Sequence, residues 1–383
     1  MLHKNSCIGV IGAGTMGSGI VQLAASFGHK VLLFDANVAV AAQAVDRIGK
    51  SLESLVQKGK ITDAIAKSTL SNITNAKSID EFAKCDLIIE AVIEELSVKV
   101  EILKKLEQIV SKECVLATNT SSLSVTSIAA ACAGSGRVVG IHFFNPATIM
   151  PLVELIPGIA SDMKVIEESR ALIDSWNKVT VLAKDTPGFI VNRVARSFYG
   201  EAIRIYEEGI ADFATIDWAL KEIGGFKMGP FELMDFIGND VNFKVTETVW
   251  TQMFFDSRYK PSLTQKRLYE AGFWGRKKGR GYYSYADSAV MPEAKRDKDL
   301  GSAIFTRIIS MLINEAYDTL YYKIASKEDI ELAMTKGVNY PKGLFKWSEE
   351  IGLRKIHDEL TRLHARYNED RYRPSVLLSD SCK

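Results

Sequence analysis

Two polar residues stand inside apolar runs of this sequence. His142 lies in Val138-Val139-Gly140-Ile141-His142-Phe143-Phe144, and Glu154 lies in Pro151-Leu152-Val153-Glu154-Leu155. A histidine in a strand is commonly a hydrogen-bonded core residue. A buried carboxylate, however, is costly unless it finds a partner. A carboxylate held against an imidazole fixes the ring's tautomer and raises its basicity, which is how a general base is oriented. Together, His142 and Glu154 could move a proton to and from a substrate hydroxyl. Ser121 and Ser122 follow an apolar strand in Asn119-Thr120-Ser121-Ser122. There a hydroxyl can bind a reacting oxygen or simply cap the next helix. Asn192, beside Arg193 in a helical stretch, offers an amide to the same oxygen or is a plain helix residue.

The elements that must position these groups begin at Ile8. Ile8-Gly9-Val10-Ile11 reads as a buried strand and runs into Gly12-Ala13-Gly14-Thr15-Met16-Gly17. Ile20, Leu23, Ala24 and Phe27 then recur at helical spacing, Gly28 stops the helix, and Lys30 to Phe34 form a second strand ending in Asp35. Strand, G-x-G-x-x-G, helix, strand and acid are the dinucleotide-binding fingerprint in full context. Gly12 permits the tight turn, Gly14 lets a pyrophosphate approach the backbone, and Gly17 lets the helix pack on the strand. The helix N-terminus offers unpaired N–H groups to the phosphates. Asp35 suits a ribose 2′-OH and repels a 2′-phosphate, and residues 36–40 bring no Arg or Lys. NAD is expected, rather than NADP.

Further strands are expected at Asp86–Glu90, Val115–Thr118, Arg137–Phe144 and Val179–Leu182, with a helix over Lys99–Val110. This alternation predicts a parallel, doubly wound sheet with its ligand at the strand C-terminal ends. Between Asp35 and the third strand, residues 38–72 carry helical spacing broken at Gly59, which predicts an inserted helical hairpin or lid. The α/β domain is expected over 1–186, and Pro187-Gly188 marks its end. From Phe189 helical spacing dominates, beginning with one long helix to Glu208.

The helical part occurs twice. Glu201-Ala202, Ile216-Asp217, Gly229 and Ile237-Gly238 return as Glu315-Ala316, Ile330-Glu331, Gly343 and Ile351-Gly352, at one offset of 114 residues. Arg258-Tyr259-Lys260-Pro261-Ser262 returns as Arg371-Tyr372-Arg373-Pro374-Ser375 at an offset of 113. The expected copies are 187–288 and 301–383, with residues 289–300 as linker. Copy 2 places Thr306 at the position of Asn192, and Gly301-Ser302 at that of Pro187-Gly188. It reads as structural.

At 383 residues, 47% hydrophobic and with a net charge of +1, the chain has material for two or three cores and no global pull toward nucleic acid or membrane. No run approaches the roughly 18 apolar residues of a membrane span. The glycine spacing after Lys4 argues against reading the N-terminus as a secretory signal. Five cysteines without C-x-x-C spacing predict reduced thiols, a cytoplasmic protein and no metal site. The basic stretch Arg276-Lys277-Lys278-Gly279-Arg280 reads as a solvated turn.

Taken together, G-A-G-T-M-G, N-T-S-S-L (119–123), G-I-H-F-F-N-P (140–146), D-T-P-G-F-I-V-N-R (185–193) and G-R-K-K-G-R-G-Y-Y (275–283) resemble the L-3-hydroxyacyl-CoA dehydrogenase family. The resemblance covers residues 7 to 285, with the remainder like a second copy of the family's C-terminal domain. It implies an α/β Rossmann-type domain followed by all-α domains, and NAD-dependent interconversion of short-chain (S)-3-hydroxyacyl-CoA and 3-ketoacyl-CoA in fatty acid metabolism. It further implies that His142 is the general base, that Glu154 orients it, and that Ser121 and Asn192 bind the reacting oxygen. Thr15, Met16, Glu94, Lys99, Asn119 and Asn145 join Gly12, Gly14, Gly17 and Asp35 as cofactor positions, with Glu94 and Lys99 near the nicotinamide and its ribose. Ser51 and Lys58 resemble positions that touch coenzyme A. In two-domain relatives the helical domain resembles a dimerisation module. A chain carrying two copies is therefore expected to be a monomer with an internal pseudo-dimer. Two other readings remain. The β-hydroxyacid dehydrogenases use a catalytic Lys in the interdomain helix, which this chain lacks from Phe189 to Tyr206. A catalytically inactive, crystallin-like NAD-binding protein would have no use for an intact His142–Glu154 pair.

Overall fold

The computed structural model describes residues 2–383, which divide into two compact units between Thr186 and Pro187. In the first unit, β1 (Ile8–Ile11), β2 (Val31–Phe34), β3 (Ile73–Asn75), β4 (Leu87–Glu90), β5 (Val115–Thr118), β6 (Val138–Phe143), β7 (Leu152–Pro157) and β8 (Val179–Leu182) form one sheet. Its order is β3-β2-β1-β4-β5-β6-β7-β8. The helices α1 (Thr15–Ser26), α2 (Val38–Gln57), α3 (Asp63–Ser71), α4 (Leu96–Glu107), α5 (Val125–Ala129) and α6 (Met163–Asp174) connect the strands. Every residue of β1, β4, β5 and β6 is buried. This is what strands covered on both faces require, and it explains their continuous apolar sequence. The order reverses between β1 and β4, so the carboxyl ends of these two strands flank the crevice where such sheets take ligands.

The sheet is not parallel throughout, as the strand–helix alternation predicted. β7 pairs antiparallel with β6, and β8 runs parallel to β7. Only residues 144–151 separate β6 from β7. That is too short for a crossover helix, so the chain turns straight back. The short edge strand β3, which the sequence pattern did not reveal, pairs with β2.

Residues 38–72 do form a helical hairpin. Asn37 caps α2 by accepting from the Ala39 N–H at 3.1 Å, Gly59 turns the chain at φ +65°, and Thr62 caps α3. The hairpin is part of the core rather than a solvated excursion or lid. Ala41, Ala44, Ile48 and Leu52 line one stripe of α2 and are buried with Ile20, Val21 and Leu23 of α1. Burial of Ile48 and Leu52 contributes about 1.5–3 kcal/mol each.

The second unit contains α7 (Val191–Val194), α8 (Arg196–Glu207), α9 (Phe213–Trp218), α10 (Pro230–Ile237), α11 (Asn239–Gln252), α12 (Leu263–Glu270), α13 (Lys298–Tyr321), α14 (Lys327–Leu332), α15 (Leu344–Ile351), α16 (Leu353–Tyr367) and α17 (Val376–Asp380). The helix expected over Phe189–Glu208 is broken at Ala195, which ends α7 and starts α8. α13 begins inside the expected linker, at Lys298, because the Asp297 side chain accepts from the Asp299 and Leu300 N–H groups.

α9 and α10 recur as α14 and α15 at the offset of 114, and α9 and α14 each run into a wider π-helical turn, residues 219–223 and 333–337. Contacts between the halves are reciprocal. Arg193 Nε donates to Glu315 Oε1 at 2.7 Å, and Arg307 Nε, 114 residues later, donates to Glu201 Oε1 at 2.5 Å. Tyr259 OH donates to Glu315 at 2.5 Å, and Tyr372 OH donates to Glu201 at 2.8 Å. Both glutamates are buried, at 1% and 2% exposure.

Removing one partner of such a buried network strands the remaining charges. Glu315→Gln leaves Arg193 and Arg258 short of their anion and should cost about 3–5 kcal/mol. Glu369→Gln neutralises a carboxylate whose side chain is 38% exposed and should cost about 1 kcal/mol or less. Urea unfolding of both variants checks the contrast. Equal losses would mean that the buried network is not what holds the two halves together.

Candidate active site

The glycine loop joins β1 to α1. Gly12 has φ +99°, and a Cβ there would lie 2.6 Å from the Ala91 carbonyl oxygen, so both conformation and space demand glycine. A Cβ on Gly17 would lie 1.8 Å from the Gly12 carbonyl oxygen, so this glycine lets the helix close on its own loop. At Gly14 a Cβ would meet nothing within 4 Å and would project into open space. That space lies before the N-terminus of α1, whose N-cap Gly14 supplies no side chain and whose first turn, including Thr15 and Met16, has no acid. Unpaired N–H groups and the helix dipole there suit a pyrophosphate. Asp35, half-buried after β2, accepts from the Ala13 N–H at 2.8 Å and the Asn37 N–H at 2.9 Å. Its carboxylate ties the loop to β2 and keeps lone pairs for a ribose hydroxyl. The residues present therefore fit a dinucleotide without a 2′-phosphate. Arg47 of α2 donates to the Ala13 carbonyl at 3.0 Å and braces the loop from behind.

His142 and Glu154 face each other across the β6–β7 pair. His142 Nδ1 lies 2.7 Å from Glu154 Oε2, and the residues are 6% and 0% exposed. With a carboxylate as acceptor, Nδ1 carries the proton, and Nε2 is the nitrogen that can exchange one with a substrate. The imidazole packs against the Phe144 ring, with centroids 4.5 Å apart. His142 is next to last in β6, so it stands at the sheet edge where β1 gives way to the glycine loop.

The loop after β5 is organised by one carboxylate oxygen. Glu94 Oε1 accepts from Thr120 Oγ1 at 2.6 Å, Ser121 N at 2.8 Å, Ser122 N at 3.1 Å, and both serine hydroxyls at 3.2 Å. Burial pushes the Glu94 carboxyl upward, but the Lys99 charge and the bonds from Thr120 and Ser121 more than reverse this and hold it below the usual carboxylate range. Asp185 caps the following α5 by accepting from the Val125 N–H at 3.0 Å and the Thr126 N–H at 2.7 Å.

Lys99, expected near the nicotinamide and its ribose, is a buried residue of α4. It is 1% exposed, and its ammonium donates to Glu90 Oε1 and Oε2 at 2.9 and 3.0 Å and pairs with Glu94 Oε2 at 3.3 Å. The buried Glu90 also accepts from Thr118 Oγ1. Lys99 therefore bears on the site through Glu94. Sequence reasoning missed Glu90, although the signal resembled the one that flagged Glu154, an acid within an apolar strand-like run.

Asn119 Oδ1 accepts from the Phe143 N–H at 2.9 Å and ties the end of β5 to the residue after His142. Asn145 is exposed in the loop after β6. Ser51 and Lys58 are both exposed, two turns apart on one side of α2. Asn192 is the second residue of α7 in the other unit, and its carbonyl accepts from Arg196 Nε at 2.9 Å.

The glycine geometry separates binding from folding. Gly14→Ala fills the open space and should weaken NADH by about tenfold or more, ~1.4 kcal/mol, at unchanged Tm. Gly17→Ala should lower Tm through its clash. Titration of NADH fluorescence, paired with thermal melts, checks both. A Gly14→Ala protein that binds NADH normally would move the pyrophosphate elsewhere.

Two family models match the chain. The 3-hydroxyacyl-CoA dehydrogenase NAD binding domain covers residues 7–186, and the C-terminal domain of the same family covers residues 188–285 and 304–383. The chain is 36% identical to the 3-hydroxyadipyl-CoA dehydrogenase of Escherichia coli K12, over 99% of this chain and 98% of that protein. It is 39% identical to the human mitochondrial hydroxyacyl-coenzyme A dehydrogenase, over 72% of this chain and 90% of that one. Among solved structures, a 3-hydroxybutyryl-CoA dehydrogenase from E. coli K12 superposes with a TM-score of 0.92 at 36% identity, covering 99% of this chain and 98% of the other. A nucleotide loop that fits NAD, a histidine paired with a glutamate at the same sheet edge, and matches along nearly the whole chain agree: the protein belongs to the 3-hydroxyacyl-CoA dehydrogenase family and takes NAD as its cofactor.

Proposed function

We propose that this chain oxidises short-chain (S)-3-hydroxyacyl-CoA thioesters, such as 3-hydroxybutyryl-CoA, to 3-ketoacyl-CoA, and runs the reverse reaction. The observation that carries this reading is the 2.7 Å bond between His142 Nδ1 and Glu154 Oε2, at the same carboxyl-end edge of the sheet as the nucleotide loop. NAD supplies the hydride acceptor. His142 Nε2 removes the proton of the 3-hydroxyl, since hydride departs from C3 more readily as the oxygen loses its proton. Glu154 holds the ring's orientation and stabilises the imidazolium. In the reverse direction the imidazolium returns the proton, and Ser121 and Asn192 donate to the developing oxyanion. Glu94 positions Ser121 by holding its backbone N–H, and the Ser121 hydroxyl, with one proton to give, turns from Glu94 Oε1 to the substrate oxygen. We assign Ser51 and Lys58 to the coenzyme A moiety, which their exposed placement on α2 supports.

The free cysteines support a reducing, cytoplasmic setting. Among the described residues no helix is long and apolar enough to cross a membrane. Residues 301–383, lacking a counterpart of Asn192, serve structure. Their reciprocal contacts with residues 187–288 are those of an isologous interface, in which residue i meets j and j meets i. We infer that copy 2 takes the place of a second subunit and that the chain is a monomer.

Acetoacetyl-CoA should consume NADH at 340 nm, and NADPH should serve worse at equal concentration. His142→Gln should lower kcat by roughly 10²–10⁴-fold with NADH affinity kept. Glu154→Gln should lose most activity in the same way. A fully active His142→Gln protein would remove the histidine from the chemistry. For assembly, light scattering should find the full chain monomeric and a chain truncated after Pro292 dimeric or aggregated. A full chain that dimerises through the 187–288 helices contradicts the inference.

A further inference from the structure

Lys178, just before β8, is a buried cation held by backbone carbonyls. It is 8% exposed, and its ammonium donates to the Ala147 carbonyl at 2.6 Å and the Met150 carbonyl at 2.8 Å. Among the described residues no carboxylate lies within ion-pair distance of it. An ammonium has three N–H donors, so one remains for a further acceptor. Burial alone lowers its pKa from 10.5 to about 8.

This lysine lines a cavity of about 330 Å³ within the first unit, between α1, the α2–α3 hairpin and the β6–β7 loop. The volume falls at the lower end of the ~300–1,000 Å³ range of small-molecule sites. Its walls include Leu52, Leu55 and Ile61 of the hairpin. Phe27, Ile65 and Ile149, also lining it, are 37%, 47% and 73% exposed, an apolar rim left in water. One end of the cavity lacks a negative charge and the other lacks an apolar cover.

We propose that this cavity binds an aliphatic carboxylate, with its headgroup on the Lys178 ammonium and its alkyl chain along the hairpin toward Ile65. A carboxylate would give the ammonium its missing counter-charge through a charge-assisted hydrogen bond. The alkyl chain would take the rim residues out of water, which favours binding in proportion to the apolar surface covered. At ~30 Å³ per small group, as for a water molecule, the cavity holds about ten carbons. The site is distinct from the His142–Glu154 pair and does not depend on the reaction assigned to it.

The pH dependence follows from the charges in reach. Lys178 is the one titratable side chain lining the cavity. Behind the cavity wall, His29 Nε2 accepts from the indole N–H of the lining residue Trp176 at 2.9 Å, and burial lowers the His29 pKa. The carboxylate binds the ammonium form. Affinity should therefore be full below pH 8 and lost as Lys178 deprotonates above it, falling about tenfold between pH 7 and pH 9.

Calorimetric titration of the full chain with decanoate, below its micelle concentration and with acetoacetyl-CoA and NAD present in excess, tests the proposal. Expected are one site per chain, binding at least tenfold weaker for decanol and for acetate, and at least tenfold loss in Lys178→Met. Should Lys178→Met fail to fold for want of its loop anchors, Ile65→Asp decides. It changes only the rim and should lose the same tenfold with its circular dichroism unchanged. Decanol binding as well as decanoate, displacement by acetoacetyl-CoA, or undiminished binding in the folded variant would each overturn the assignment.

Discussion

The site rests on the reversal of chain direction between β6 and β7. Every strand from β1 to β6 runs the same way, and their carboxyl ends share one edge. β7 comes back antiparallel, in a register that sets Glu154 directly opposite His142. Facing residues on antiparallel strands put their side chains on one face, so the bond between them is a property of the sheet and not of a flexible loop. A slip of one residue would turn Glu154 to the other face and leave a buried carboxylate alone. β8 closes the register from the far side, with Val181 opposite Glu154. Lys178 holds the connecting loop by two of its carbonyls.

Around that pair, charge is used for placement more than for stability. The buried Glu90–Lys99 ion pair is weak evidence for stability, because desolvation of both groups offsets most of their attraction. Its consequence is positional. Lys99 also reaches Glu94 Oε2, while Glu94 Oε1 gathers the donors of Thr120, Ser121 and Ser122. A serine hydroxyl on an otherwise unsupported loop would sample several rotamers. Here its backbone is tied to a carboxylate that a buried cation fixes in turn. Well-packed apolar residues at 90 and 99 could fold as well and would leave the serine loop without this anchor.

What was legible in the sequence was legible for local reasons. The glycine loop could be read because strand, glycine spacing and helix follow one another directly, although the Ala91 carbonyl that crowds Gly12 comes from far along the chain. The hairpin could be read from spacing and from Gly59. The strand direction of β7 could not, since nothing in Leu152–Pro157 says which way it runs; that depends on the brevity of residues 144–151. The Glu90–Lys99 pair could not be read, because Glu90 is contributed by a strand nine residues earlier and burial is not written in either residue alone. The break at Ala195 carries no Gly or Pro to announce it.

The helices α9 and α10 and their recurrence as α14 and α15 show one structural device used twice within a single chain. Asp217 accepts from the Phe231 and Glu232 N–H groups and so caps α10 from fourteen residues away. Its counterpart Glu331 does the same for α15 through the Phe345 N–H at 2.7 Å. Gly229 and Gly343 stand at the matching N-caps, where a Cβ would collide with that carboxylate, at 2.3 Å and 1.5 Å. One carboxylate is a methylene longer than the other, yet the glycine and the long-range cap persist as a unit, because an acid side chain filling the cap position leaves no room for a second one. The reciprocal Arg–Glu contacts persist in the same way. At the position of Asn192, by contrast, copy 2 has Thr306, and no nucleotide-binding unit precedes it. Residues 301–383 retain the contacts that shape and join these helices, with Thr306 where the first set has Asn192.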